Sequence, residues 1–486
     1  MNIILTVLSG LLFALSFPKF ELFYLVWIAA VPLIIAIYNS KSFKQAFTLG
    51  SICFVTYFSI NLISALTLCK WVGIYGFVAY IGLIALQTIF FLPFIWAAKV
   101  NSEKKSLLFL PAVWVVIEWL KSQTSFGVLG AALGYSQYRM VPLIQIADIT
   151  GVYGVSFLII IVNTAIAHLI LARDKRQFFL CAALVASVVF YGYSKIPVKY
   201  NPAKKVAIIQ GYIEQKTMLD ESKTNFIYNV YKFYTVRAAK NNTNIIIWPE
   251  GAVPTYIYNE AKYKDMLQDI KTPMLIGTPY MAENGAIYNS IMAISDAGKI
   301  TGRYDKQYLV PFGEYLPFRP IFYPLLKSSK LFEEEFSAGK STSIIQIEGL
   351  NVGGGVCFES LFPHVIRKKI SDGANIILIV TNDAWFLRSS EVYLHFCASI
   401  FRAIENRKFV IQAANTGISG IIDPSGYFES SKINERCIFY GLIEPNNIKT
   451  FYTAYGDLFV YINLILICYL IPSIYRKPKT TAAKSS

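Results

Sequence analysis

Three side chains able to act together on an acyl group are spread along the sequence: Glu250, Lys306 and Cys357. A cysteine attacks an acyl carbonyl only as its thiolate, so it needs a base, and a carboxylate can serve where a partly apolar pocket raises its pKa. The tetrahedral intermediate carries a negative charge, which a lysine ammonium and nearby backbone N–H groups can stabilise. Glu250 as base, Lys306 at the oxyanion and Cys357 as nucleophile therefore form a complete set for acyl transfer through a thioester.

Cys357 differs from the other six cysteines in its surroundings, because it directly follows Gly353 to Val356 and precedes Phe358-Glu359. Four others lie in apolar runs, where a cysteine is usually inert: Cys53, Cys69, Cys181 and Cys468. The last two lack acid-rich, glycine-flanked surroundings: Cys397 and Cys437.

Metal chemistry is not indicated by the spacing of the histidines and cysteines. No paired C-x-x-C occurs, and the three histidines show no metal-ligand spacing: His168, His364 and His395. We therefore expect no metal and no dissociable cofactor.

The composition places much of the chain in a membrane. Hydrophobic residues make up 55% of the 486 residues, charged residues make up 15%, and the mean hydropathy is +0.46. The net charge of +15 comes from short basic clusters between apolar runs, which suits lipid headgroups better than nucleic acid.

Eight apolar runs, most of them near the ~20 residues that a spanning helix needs, are candidate membrane spans. The runs are Ile3 to Phe17, Leu22 to Tyr38, Phe47 to Leu68, Val72 to Ala98, Leu107 to Leu120, Val152 to Leu171, Phe178 to Tyr193 and Leu458 to Tyr475. Lysine or arginine follows every second run, so that side is cytoplasmic and both termini lie there. The first run lacks the features of a cleaved signal and is expected to be retained.

The organisation predicted is a seven-helix membrane domain (1–194), an extracytoplasmic α/β domain (195–454), and a last membrane helix with a basic cytoplasmic tail (455–486). The central block contains short, β-branched apolar runs typical of buried strands: Val206 to Gln210, Ile245 to Trp248, Met274 to Gly277, Ile344 to Ile347, Val352 to Val356 and Ile376 to Val380. Helical stretches such as Glu221 to Lys240 and Tyr393 to Arg407 alternate with them, as in α/β folds.

The order of the motifs resembles the nitrilase superfamily, whose catalytic Glu, Lys and Cys lie on an α-β-β-α sandwich. Within it, the bacterial apolipoprotein N-acyltransferase family is similar over nearly the whole chain. Its lysine motif resembles Gly302 to Tyr315 (GRYDKQYLVPFGEY), and its membrane part resembles Leu133 to Gln137 (LGYSQ), Ile146 to Asp148 (IAD) and Gly151 to Gly154 (GVYG).

This resemblance implies that Glu250 is the general base, Lys306 stabilises the oxyanion and Cys357 carries the acyl group. Further candidates for supporting or substrate-binding roles are Glu314, Phe358, Glu359, Asn289 and Trp385.

The implied reaction takes a fatty acyl chain from a membrane phospholipid and transfers it to the N-terminal amine of a diacylglyceryl cysteine in an apolipoprotein. Two half-reactions share one acyl-enzyme, so ping-pong kinetics are expected. The implied location is the bacterial inner membrane, with the catalytic domain in the periplasm. Two alternatives remain open from the sequence: a membrane-anchored nitrilase-type amidase that hydrolyses its thioester, and a transporter or scaffold whose outer domain only binds.

Several positions depart from the family pattern or suggest contact with lipid. Tyr212, Leu219 and Leu387 stand where the family has other residues. Tyr315 to Phe332 is predicted to be an apolar loop able to admit acyl chains, and Glu118 is a charge inside or beside a membrane span.

Overall fold

The computed structural model describes residues 1–196, 200–326, 334–385 and 389–475. The first part, the helical region (1–195), contains twelve α-helices among its described residues. They are α1 (Asn2–Leu15), α2 (Val26–Ala29), α3 (Val31–Tyr38), α4 (Phe43–Asn61), α5 (Cys69–Val72), α6 (Ile74–Phe90), α7 (Leu92–Lys104), α8 (Phe109–Ser122), α9 (Val141–Ile144), α10 (Ala147–Thr150), α11 (Val152–Ala172) and α12 (Lys175–Lys195).

Local signals fix several of these helix boundaries. The Ser42 hydroxyl accepts a hydrogen bond from the Gln45 N–H at the start of α4, and the Asp174 carboxylate caps α12 in the same way. Gly151, with a φ of 64°, separates α10 from α11 in a conformation that glycine adopts without strain.

Within the described residues, three helical stretches are long and apolar enough to cross a membrane: Ile74–Glu103, Val152–Ala172 and Lys175–Lys195. A fourth is reached if Phe43–Asn61 and Ile63–Val72, bent by 54° at their junction, count as one span. All eight predicted runs are largely helical, but Asn2–Leu15, Phe23–Tyr38 and Leu458–Pro472 are shorter than a full span. Eight crossings therefore stay a prediction. The basic tail that enters the orientation argument lies outside the described residues.

The sheet region (204–443) is built from two six-stranded sheets. The first runs in the order β12-β1-β2-β3-β4-β5 and the second in the order β11-β10-β9-β8-β7-β6. The strands are β1 (Lys204–Gln210), β2 (Ile245–Trp248), β3 (Met274–Met281), β4 (Ile287–Ile294), β5 (Ile300–Asp305), β6 (Ile344–Ile347), β7 (Leu350–Val356), β8 (Ile376–Thr381), β9 (Val410–Ala414), β10 (Gly420–Ile422), β11 (Phe428–Ser430) and β12 (Cys437–Ile443).

Helices cover the outer faces of both sheets, so the expected α-β-β-α sandwich is confirmed. The remaining helices are α13 (Gln215–Met218), α14 (Thr224–Ala239), α15 (Ala261–Asp269), α16 (Arg319–Leu326), α17 (Pro363–Ser371), α18 (Ser390–Asn406), α19 (Phe451–Tyr455) and α20 (Leu458–Tyr475). α14 and α15 bury their apolar faces against the first sheet, and α17 and α18 pack against the second.

The three glycines before Cys357 explain how the layers approach so closely. A Cβ at Gly354 would lie 2.9 Å from Ile291 and 3.2 Å from Tyr304 of the facing sheet. A Cβ at Gly353 or Gly355 would point the other way, toward α17 and β8. Because side chains alternate along a strand, glycine at all three positions lets neighbouring elements pack closely against both faces of β7.

Buried polar contacts join the two regions. Arg407 makes a salt bridge with Asp148 at 2.7 Å, and the Val152 N–H donates to Glu405 at 3.0 Å. The Tyr135 and Phe401 rings meet edge to face at 5.2 Å. The helical region therefore packs directly on α18, the helix that follows the strand beside the nucleophile.

Candidate active site

The two sheets bring the three predicted catalytic side chains to neighbouring strand ends. Glu250 lies two residues after β2, Lys306 directly follows β5, and Cys357 directly follows β7 and begins a short 3-10 helix, Cys357–Leu361. Cys357 has a φ of 52°, which is a strained conformation for a residue other than glycine. Such strain at a strand end projects the side chain out of the sheet edge and is typical of functional sites.

Glu250 is held by hydrogen bonds to both of its carboxylate oxygens. The Asn289 side-chain amide donates to Oε1 at 2.7 Å, and the backbone N–H of Asn382 donates to Oε2 at 2.8 Å. The Lys306 ammonium lies 3.9 Å from Oε1. These contacts orient the carboxylate and leave it close to a positive charge.

Glu314 is the second carboxylate of this group. It pairs with the Lys306 ammonium at 2.8 Å, and it accepts from the Asn289 side chain at 2.7 Å and from the Val310 N–H at 2.8 Å. Asn289 therefore bridges the two glutamates through one amide nitrogen. The structure brings Asn289 and Glu314 into the site, as predicted from the sequence.

The electrostatics of the group follow from its burial. Burial raises the pKa of Glu250, the Lys306 charge opposes this, and the Glu314 carboxylate adds to it. Burial lowers the pKa of Lys306, but the charges of Glu314 and Glu250 outweigh it, so the Lys306 pKa lies above its ordinary value. Lys306 is thus cationic, and Glu250 is a stronger base than a solvated carboxylate.

The Cys357 thiol is 8% exposed and interacts electrostatically with both Glu250 and Lys306. Burial raises its pKa well above the ordinary value, the Glu250 charge adds to this, and Lys306 opposes it. The Thr381 side chain also lowers the pKa of this thiol. The resting Cys357 is therefore a thiol, which would need a base to become a nucleophile, and Glu250 is a carboxylate that interacts with it.

Glu359 is fully buried and holds the backbone just before the nucleophile. It accepts from the Tyr304 hydroxyl and the Gln307 N–H, at 2.7 and 2.8 Å, and from the Val356 N–H at 2.8 Å. It thereby ties the lysine loop to the residue before Cys357. These partners are a tyrosine hydroxyl and backbone N–H groups.

Phe358 and Trp385 each contact another aromatic ring. Phe358 is buried against the Phe362 ring at 5.1 Å. Trp385 is half-buried and meets Trp71 of the helical region edge to face at 5.1 Å. Trp385 therefore links the catalytic loop to the helical region, while Leu387, a departure from the family pattern, lies outside the described residues.

The segment predicted as an apolar loop, Tyr315 to Phe332, is helical in part. α16 occupies Arg319–Leu326, and the described part of the segment leaves Phe318 and Ile321 strongly exposed. The expectation of a loop was therefore wrong over α16. Proline at the second position of α16 is compatible with the start of a helix, because its missing N–H needs no partner there.

Glu118 has protein partners in the helical region. It is buried in α8 and accepts from the Trp114 indole and the Leu133 N–H, each at 2.7 Å. Lys121, one turn later, is also buried, and both residues line a small cavity of about 20 Å³. The structure thus explains how the charge is tolerated without placing Glu118 among the residues around Cys357.

Three buried residues near the nucleophile were not singled out for this site from the sequence: Thr381, Asp383 and His395. His395 was considered only as a metal ligand, yet its ring nitrogen Nδ1 lies 3.0 Å from Asp383. The available signal was Asp383 in the loop after β8, followed by a histidine on the next amphipathic helix.

Comparison with known proteins covers both parts of the chain. Residues 9–165 match the family model described as the apolipoprotein N-acyltransferase N-terminal domain, and residues 185–433 match carbon-nitrogen hydrolase. The apolipoprotein N-acyltransferase of Geobacter metallireducens is 34% identical, over 94% of this chain and 92% of that protein. That of Thermotoga maritima is 29% identical, over 96% of this chain and 92% of that protein.

Among solved structures, an amidase from Nesterenkonia sp. aligns with 55% of this chain and 98% of its own, at 16% identity and a TM-score of 0.41. That superposition is too weak to add to the assignment, which rests on the sequence matches. The first family model matches the helical region and the second matches most of the sheet region, in the same order along the chain. The two relatives align with nearly the whole chain. The chain belongs to the apolipoprotein N-acyltransferase family.

Proposed function

We propose that this protein moves a fatty acyl chain from a membrane phospholipid to the N-terminal amine of the diacylglyceryl cysteine of apolipoproteins, through a thioester on Cys357. The observation that carries the proposal is the arrangement of Glu250 and Lys306 around the buried thiol. Membership of the family supports the choice of donor and acceptor.

In the first half-reaction, Glu250 takes the Cys357 proton as sulfur attacks the ester carbonyl of the phospholipid. Lys306 and backbone N–H groups stabilise the oxyanion. When the intermediate collapses, the carbon–oxygen bond breaks, and Glu250 returns the proton to the leaving alkoxide. The products are a lysophospholipid and the acyl-enzyme.

In the second half-reaction, the acceptor amine attacks the thioester in its neutral form. Glu250 takes a proton from the nitrogen and returns it to the departing Cys357 sulfur, which restores the thiol. Lys306 stabilises the second oxyanion as it did the first, so one group of residues serves both halves.

The test incubates purified full-length protein with acyl-labelled phospholipid and looks for a hydroxylamine-sensitive adduct on the Cys357 peptide. Cys357→Ser should abolish the adduct, while Cys397→Ser, at another buried cysteine, should keep it. Absence of the adduct in the unmodified protein would rule out the mechanism. A diacylated lipopeptide should then take up the label as an amide, and release of free fatty acid instead would favour the amidase-type hydrolase.

We also propose the domain limits and orientation predicted from the sequence: a membrane domain (1–194), a periplasmic catalytic domain (195–454) and a last membrane helix with a cytoplasmic tail (455–486) in the inner membrane. The basic residues after alternate apolar runs support it. A membrane-impermeant thiol reagent should label Glu283→Cys in intact spheroplasts and Lys41→Cys only after permeabilisation. The reverse pattern would invert the orientation.

Phe358 and Trp385 are proposed to contact substrate. Phe358 directly follows the nucleophile in sequence, and Trp385, in the loop after β8, contacts Trp71 of the helical region. An acyl chain arriving from the membrane would pass such apolar surfaces before it reaches Cys357. Trp385→Ala should therefore raise the phospholipid KM more than it lowers the rate of the bound complex.

A further inference from the structure

A set of buried polar side chains, outside the acyl-transfer mechanism above, lies behind the nucleophile on β8 and α18. In the parallel pair β7–β8, Val356 is opposite Val380. Cys357 and Thr381 therefore come next, side by side at the carboxyl ends of two neighbouring strands. Thr381 is fully buried, and its side chain lowers the pKa of the neighbouring Cys357 thiol.

The hydroxyl of Thr381 is held by the carboxylate of Asp383. It donates to Asp383 Oδ1 at 3.1 Å, and Nδ1 of His395 lies 3.0 Å from the same oxygen. A hydroxyl has one hydrogen, so donation to Asp383 leaves the Thr381 oxygen to accept the thiol hydrogen of Cys357. The order of the chain is thus thiol, hydroxyl, carboxylate and imidazole.

The surrounding fold is shaped to keep this carboxylate in place. Asp383 is fully buried, and a Cβ at Gly417 would lie 2.0 Å from its Oδ2, so a side chain there would displace it. One turn before His395, the buried Glu391 accepts from Ser64 of the helical region at 3.3 Å. Glu391 interacts electrostatically with His395, so the set of buried polar groups reaches the contact between the two regions.

We propose that Thr381, Asp383 and His395 are positioning residues for the nucleophile: His395 fixes Asp383, and Asp383 aims the Thr381 hydroxyl at the sulfur of Cys357. In the resting protein Thr381 accepts the thiol hydrogen. Once Glu250 has taken that proton, the Thr381 hydroxyl turns its hydrogen from Asp383 to the thiolate. No bond other than hydrogen bonds changes in this step.

The charged groups around the thiol determine the direction in which each substitution should shift the pKa of Cys357. Glu250 and Lys306 face Cys357 from the first sheet, and Asp383 faces it from the loop after β8, backed by His395 and Glu391 on α18. Burial raises the Cys357 pKa most, the Glu250 and Asp383 charges raise it further, and Lys306 and the Thr381 hydrogen bond lower it. Loss of Thr381 and loss of the Asp383 charge must therefore act in opposite directions.

The experiment measures the alkylation rate of Cys357 by iodoacetamide against pH, read by mass spectrometry of the Cys357 peptide. Purified full-length protein carries Glu250→Gln throughout, so that the general base does not assist thiolate formation. This readout needs no lipid or lipoprotein, and it is therefore independent of whether the proposed transfer reaction is correct.

We expect Thr381→Val to move the midpoint upward by about one pH unit, since a hydrogen bond to a charged group is lost. Thr381→Ser should restore the original midpoint. Asp383→Asn should move it downward, and His395→Gln upward. Ser399→Ala, at a buried hydroxyl of α18 that bonds Gln412 instead, should leave it unchanged.

Coincident curves for Thr381→Val and the parent protein would overturn the proposal. The proposal would also be overturned if Asp383→Asn moved the alkylation midpoint in the same direction as Thr381→Val. A general disturbance of the structure would shift both midpoints alike, whereas the proposed hydrogen bonds require opposite shifts. If Asp383→Asn fails to fold, the valine and serine variants at position 381 still decide the outcome.

Discussion

Lys306 is bound by Glu314 at 2.8 Å, in a buried contact that lies behind the catalytic carboxylate. This pairing fixes the cation in place and offsets part of its charge in the resting protein. Because Glu250 is 3.9 Å from the same ammonium, it keeps more of its basicity than a directly paired carboxylate would. The site thus assigns one glutamate to hold the lysine and leaves the other to move protons.

Two substitutions beside Glu250 should shift the acid limb of the pH profile in opposite directions. The rate depends on ionised Glu250, so it falls as the pH drops through the raised pKa of this group. Asn289→Ala removes a hydrogen bond that stabilises the charged form, so the pKa rises and the limb moves to higher pH. Glu314→Gln removes a neighbouring negative charge, so the limb moves to lower pH.

The measurement is the single-turnover rate at which labelled phospholipid acylates Cys357. It is taken between roughly pH 4 and pH 9, a range that covers the titration of a carboxylate with a raised pKa. If the acid limbs of Asn289→Ala and Glu314→Gln moved in the same direction, the assignment of Glu250 as the titrating base would be contradicted.

Removal of the Lys306 charge should slow acylation by about 10²–10³-fold, the usual effect of losing one oxyanion donor. Lys306→Met also leaves Glu314 buried without its partner, so the matched variant is Lys306→Met with Glu314→Gln. The single-turnover rate should stay low in the double variant. Recovery of the rate there would show that the unpaired Glu314 caused the loss, and that Lys306 does not act on the oxyanion.

Gly354→Ala should destabilise the sheet region by about 1–3 kcal/mol, because the added methyl group overpacks the contact between the sheets. Its Cβ would lie 2.9 Å from Ile291. Gly302→Ala is the control, since its Cβ would be 3.5 Å from Ile345, an ordinary contact distance. Thermal unfolding in detergent should show a lower midpoint for Gly354→Ala alone, and equal midpoints would refute the close approach.

Arg407→Met should cost about 3–5 kcal/mol, because Asp148 is then left as a buried charge without its partner. The exposed pair formed by Lys368 and Asp372 offers a comparison, and Lys368→Met should cost only about 0–1 kcal/mol. Limited proteolysis between the two regions should become faster only in Arg407→Met. Equal protection of both variants would mean that the salt bridge does not hold the regions together.

The sequence predicted those parts of the site that depend on local pattern. Runs of β-branched residues identified β2 and β6 with their observed limits, because isoleucine, which favours strands, makes up three of the four residues in each. β4, which carries Asn289, was missed, since polar residues interrupt its apolar pattern. The contact of Asn289 with Glu250 arises only when β3 and β4 pair, and no short window of sequence contains that information.

The resemblance to a family supplied Glu314 and Glu359, whose partners are distant in sequence. It did not point to the role of Asp383 and His395, because neither residue belongs to the set of reacting groups. Their relation is set by packing of α18 on β9 and on the 3-10 helix Cys357–Leu361, a tertiary feature. Helix length likewise left the number of membrane crossings open, since short apolar helices occur both in spans and in interiors.

The first and last strands of the sheet region are neighbours: Lys204 in β1 is opposite Ile443 in β12. The chain therefore enters this region from α12 and leaves it toward α20 at the same edge of the first sheet, so both connections to the helices lie side by side. The Arg407 salt bridge to Asp148 and the packing of α18 on the helical region fasten it in addition. The position of Cys357 relative to the helical region is therefore constrained by the chain at both ends of the sheet region and by buried contacts between the two regions.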